Sequence, residues 1–144
     1  MGLAEKIRED VKTAMRERDD FRRDTLRNVV GALKQVEIDE RKSLGDADVE
    51  KILQKQIKLR LDAIAQYKVG NRADLVEKES KEVAIIEGYL PKQLNDEQLE
   101  AKLQTIIAAL DQKTIGAVMS AAKPAIGSQA DGKRISEIAK KLLG

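Results

Sequence analysis

The chain has 144 residues, enough for one ordinary domain or two small ones sharing a core. It holds no cysteine and no histidine, which excludes disulfides, zinc ribbons, thiol catalysis and every histidine-dependent base, metal ligand or nucleophile pair. Hydrophobic residues make up 42% and charged residues 36%, the mix of a charge-rich globular protein, and a net charge of +2 is too small to mark a nucleic-acid-binding domain by itself.

No apolar run reaches signal-peptide length, and none approaches the roughly 20 residues of a membrane span. The expectation is a cytoplasmic protein without a membrane association. The small positive excess is unevenly placed. Residues 1–88 carry 19 basic and 19 acidic side chains, and residues 89–144 carry 8 and 6.

Leu3, Ile7, Val11, Ala14 and Met15 trace one face of a first helix, and the pattern resets at Asp19-Asp20. A second helix is predicted from about residue 21 to 40, with Leu26, Val29, Val30, Leu33 and Val36 inward. Arg23, Arg27 and Lys34 form a basic strip on it, set against neighbouring acids such as Asp24. Ser43 to Asp46 is a turn, and Asp46 or Asp48 is a suitable cap for a third helix. Val49, Ile52, Leu53, Ile57, Leu61 and Ile64 give that helix a wide apolar band, and Gly70-Asn71 ends it because both residues tolerate the left-handed conformation. Leu75, Val76, Val83 and Ile86 line a fourth helix from Arg72 to Gly88.

Pro91 fixes its own backbone and pushes Leu90 out of the helical region, so a new unit is expected to begin there. Asn95 and Gln98 have the spacing of a capping box before a fifth helix carrying Leu99, Leu103, Ile106, Ile107 and Leu110. Thr114 introduces a sixth with Ile115, Val118, Met119 and Ala122, which Pro124 and Gly127 should end. The last helix is capped by Asp131, and Ile135, Ile138, Ala139, Leu142 and Leu143 share one stripe. The sum is an all-α protein of two helical subdomains: a long-helix bundle or hairpin layer over residues 1–90, and a compact three-helix unit over residues 91–144.

Chemistry is sparse. Ser120 and Lys123 have a serine–lysine spacing, but the companion motifs of that enzyme class are missing. Glu77, Glu79 and Glu82 suit a solvated helix surface better than a metal, and Asp46, Asp48 and Glu50 lack the glycine of a calcium loop. No catalytic residue, metal ligand or cofactor site is assigned. Phe21, Tyr67 and Tyr89 are the only aromatics, too few to stack single-stranded bases, so any RNA contact must be to phosphates. Lys133 and Arg134 stand out. They lie in the first turn of the last helix, where the dipole is already positive and disfavours cations unless an anion is nearby. With Lys123, Lys140 and Lys141 they form the candidate RNA- or partner-binding set.

Asp24-Thr25-Leu26-Arg27, Lys58 to Tyr67, Gly70 to Leu75, Tyr89-Leu90-Pro91-Lys92-Gln93-Leu94, Gly116-Ala117-Val118-Met119 and Ala130-Asp131-Gly132-Lys133 to Leu143 together resemble the YqeY family of small bacterial proteins. That family is similar to the C-terminal tail domain of GatB, the B subunit of the glutamine-dependent aspartyl/glutamyl-tRNA amidotransferase, and the match is strongest from Gly116 onward. The resemblance implies two helical subdomains and a non-catalytic accessory module that binds tRNA or tRNA-charging proteins. It brings no catalytic residue with it. Two alternatives stay open: a protein-interaction module without nucleic acid, and a carbon–nitrogen ligase using glutamine as amido-N-donor, inherited from the parent complex.

Overall fold

The computed structural model describes residues 2–144, and among them all regular structure is helical. The chain divides into two compact units, one ending at Leu90 and the other running Pro91–Gly144.

The first unit contains α1 (Leu3–Arg16), α2 (Asp20–Glu40), α3 (Asp46–Val69) and α4 (Ala73–Glu87). Asp19 caps α2 by accepting from Arg22 N at 3.1 Å. The expected cap of α3 is corrected: Gly45 occupies the cap position, and Asp48 reaches back to accept from Gly45 N at 3.1 Å. That backbone donor holds the Asp48 carboxyl below the usual carboxylate range. Asp46 instead accepts from Leu3 N at 2.9 Å, tying the start of α1 to the start of α3. Asn71, at φ 56°, takes the left-handed position that turns α3 into α4, while Gly70 stays at φ −82°. Short connections after α1 and α3 therefore fold α1 with α2 and α3 with α4 into helix hairpins. Ile7, Leu26, Leu33, Val49, Leu53 and Ile86 are fully buried between them. Each such side chain contributes about 1.5–3 kcal/mol of transfer free energy.

The second unit contains α5 (Asp96–Ala108), α6 (Ile115–Ile126), a single 3₁₀ turn (Gly127–Gln129) and α7 (Gly132–Leu143). The capping box of α5 is present in both directions, with Gln98 N donating to Asn95 at 2.8 Å and Asn95 N donating to Gln98 at 3.1 Å. Thr114 accepts from Ala117 N at 3.2 Å and Asp131 accepts from Arg134 N at 2.8 Å, so α6 and α7 also begin at side-chain caps. Pro124 does not end α6. It lies inside the last turn, and the helix runs on to Ile126 before Gly127, at φ 57°, breaks it. A proline so close to the end interrupts few remaining hydrogen bonds, which is why the stop falls to the glycine. Leu99, Leu103, Val118, Ala122, Ile135 and Ala139 form this unit's core, fed by one stripe from each helix.

Candidate functional site

The first turn of α7 is built on a loop that binds the segment entering the second unit. Leu94 N donates to Gln129 O at 2.9 Å, and Gln93 Nε2 donates to Ser128 O at 2.8 Å and to Pro91 O at 3.0 Å. Arg134 closes this arrangement from the helix side. Its Nη2 donates to the Leu94 carbonyl at 2.9 Å and to Asp96 Oδ1 at 2.8 Å.

The cation that suited its helix position poorly thus has its anion within the unit: Asp96, in the first turn of α5. Arg134 keeps only a third of its side chain exposed and is occupied in holding residues 94–96. It is a structural clamp.

The lysines are different. Lys133, Lys140 and Lys141 on α7 and Lys123 near the end of α6 are all exposed, and among the described residues none of the four makes a side-chain hydrogen bond or ion pair. At 3.6 residues per turn Lys133, Lys140 and Lys141 share the face of α7 opposite Ile135 and Ala139. Glu137 stands among them, so that face carries three cations and one anion. Lys140 and Lys141 complement the negative end of the helix dipole, whereas Lys133 sits at the positive end, between the capping Asp131 and Glu137 one turn on.

The other sequence candidates have found different work. Ser120 and Lys123 are exposed and no hydrogen bond joins them. Glu77 pairs with Lys81 at 3.1 Å, and Glu79 and Glu82 turn to Arg60. Arg23 is held between Asp20 at 3.0 Å and Asp24 at 2.8 Å, which takes it out of the basic strip of α2, while Arg27 donates to Met15 Sδ at 3.4 Å. Among the described residues no group of three acidic side chains converges as a metal site, and no helix is long and apolar enough to cross a membrane.

Two polar clusters were missed at the sequence level. Arg60 is nearly buried on α3 among Gln56, Asn28, Glu79 and Glu82. Tyr89 donates its hydroxyl to Asp10 and accepts from Arg22 Nη2 at 3.3 Å, with the Lys6 ammonium 6.0 Å above its ring. Burial, the first cause, and the Asp10 carboxylate, the second, push the Tyr89 phenol far above its ordinary 10.0. A signal for Arg60 existed: it continues the apolar series Val49, Leu53, Ile57 and Ile64, and a charge on such a stripe requires buried partners.

A family model described as Yqey-like protein matches residues 4–143. The chain belongs to this family. Its relatives include proteins named "Altered inheritance of mitochondria protein 41, mitochondrial" from three yeasts. The one from Lachancea thermotolerans is 33% identical over 74% of this chain and 58% of its own length. That from Kluyveromyces lactis is 30% identical over 85% of this chain and 76% of its own length. The Vanderwaltozyma polyspora protein is 31% identical over 74% of this chain and 60% of its own length. The chain therefore spans little more than half of the first relative it matches. These names correct two expectations. The relatives are mitochondrial, which overturns the cytoplasmic placement, and they are fungal, so a description as bacterial does not hold for these Yqey-like relatives. A long apolar run does not mark that compartment, because mitochondrial targeting depends on amphipathic, arginine-rich segments.

Proposed function

We propose that this protein is a non-catalytic accessory module whose C-terminal unit contacts tRNA, alone or within a tRNA-charging complex. The observation that carries the proposal is the division between Arg134 and the lysines. Arg134 is consumed in holding residues 94–96, while Lys133, Lys140 and Lys141 stand exposed and unpaired on the outer face of α7. Similarity of the region from Gly116 onward to the tail of the amidotransferase B subunit supports the same partner.

Lysines on an exposed helix face meet phosphates as point charges and carry no sequence information, so binding is expected to follow the shape and backbone of the RNA. Lys123, at the end of α6, adds a further charge to the same unit. The module holds and orients, and the chemistry belongs to a partner.

Mobility shift with bulk tRNA at low and moderate salt tests this. The parent should bind, more weakly as salt rises, and a variant with Lys133→Glu, Lys140→Glu and Lys141→Glu should lose at least tenfold in affinity. Equal binding by the two proteins removes this surface. Absence of binding by the parent, together with protein partners captured after nuclease treatment, replaces the proposal by an interaction module without nucleic acid.

A further inference from the structure

A second polar feature, in the first unit, is independent of the lysines. Arg60 retains 9% exposure on the inward stripe of α3. Its Nη1 donates to the Gln56 carbonyl at 3.1 Å and to Gln56 Oε1 at 3.0 Å, and its Nη2 donates to Asn28 Oδ1 on α2 at 3.2 Å. The remaining donor, Nε, is buried without a hydrogen-bond partner. It faces two carboxylates of α4, Glu82 Oε2 at 3.6 Å and Glu79 Oε2 at 4.0 Å.

The glutamates are three residues apart on α4, hence neighbours on one helix face, and their side chains are only 18% and 15% exposed. One buried cation thus meets two largely buried carboxylates. With both ionised, an uncompensated negative charge remains where water solvates it poorly; with one proton added, the three side chains balance and the acid can donate to its neighbour. Charged groups acting on Glu82 are few: Glu79 and Lys78 from its own helix and Arg60 from α3. Asn28 from α2 and Gln56 from α3 complete the cluster as neutral groups.

We propose that Glu79 and Glu82 close on one shared proton as pH falls, so that this joint between α3 and α4 tightens on acidification and slackens as pH rises. Burial of Glu82, then its hydrogen bond to Glu79, then the Glu79 charge raise its carboxyl above the ordinary 4.5, against the opposing pull of Arg60 and Lys78. A carboxyl raised on folding stabilises fully below its unfolded value, and that stabilisation is lost as pH climbs through the folded one. The sense is opposite to that of Asp48 and Asp74, whose carboxyls are lowered by hydrogen bonds in the folded chain.

Carbon-13 carboxyl NMR on the full chain, titrated across the acidic and neutral range, reads the pair directly. Glu82 should titrate above its ordinary 4.5, and Glu79→Gln should bring it down toward Arg60-paired behaviour. Glu82→Gln copies the protonated acid in shape and charge, so it should fold. Its urea midpoint should lack the fall that the parent shows as the pair ionises. Either of two results overturns the proposal: Glu82 titrating at or below its ordinary 4.5, or a parent-like pH profile of the midpoint in Glu82→Gln.

Discussion

Arg134 and Asp96, 38 positions apart, are joined by a 2.8 Å hydrogen-bonded ion pair, and the same Arg134 nitrogen donates to the Leu94 carbonyl. The two contacts differ in energetic weight. Asp96 is 85% exposed, so its charge is well screened, whereas the Leu94 bond is partly buried.

Arg134→Ala should therefore destabilise the second unit by about 1–2 kcal/mol, the cost of losing a charge-assisted bond and leaving a carbonyl unpaired. Asp96→Asn should cost less than about 1 kcal/mol. Urea denaturation followed by signals from α5 to α7 measures both, and equal losses in the two variants contradict this ranking.

Tyr89→Phe should lower the stability of the first unit by about 1–2 kcal/mol, because the Asp10 carboxylate and Arg22 both lose the hydroxyl. The phenol gives a pH signature as well. Its folded value is raised, so its contribution is complete below the ordinary 10.0 and lost as pH rises beyond it. In a Tyr67→Phe background Tyr89 is the only tyrosine, and ultraviolet absorbance should show no ionisation at pH 10 while the chain stays folded. Half-titration there refutes the buried pair with Asp10.

Leu103→Ala should cost about 2–5 kcal/mol through lost burial and the cavity left behind. Leu103 is fully buried in the core of the smaller unit, where so large a loss exceeds what a core of this size can spare. Amide exchange should reveal α5, α6 and α7 opening together while α1 to α4 keep their protection. Protection that fades equally in both units rejects separate cores.

If the α7 lysines contact phosphates, reversing all three should also flatten the salt dependence of tRNA binding. Each phosphate contact contributes roughly 0.7–0.9 to the slope of log affinity against log salt, so the triple variant should lose about 2–3 units. Arg134→Ala, assayed at a temperature where it remains folded, should leave the slope unchanged because its guanidinium is already satisfied within the unit. A slope reduced by Arg134→Ala and untouched by the lysine changes reverses these assignments.

The all-helical class and most helix ends follow from local chemistry: stripes such as Ile135, Ala139 and Leu142, and caps such as Asn95, Thr114 and Asp131. These act between residues three or four apart, so the linear chain contains both partners of each interaction. Tertiary structure alone decided the rest. Whether Arg134 is a free cation or a clamp depends on Asp96 and Leu94, and whether Glu79 and Glu82 are solvated or buried depends on Arg60. Charges count by what faces them. Packing between distant helices brings Arg134 to its two acceptors and leaves Lys133 beside it exposed and unpaired, a distinction that two adjacent basic residues in a sequence do not carry.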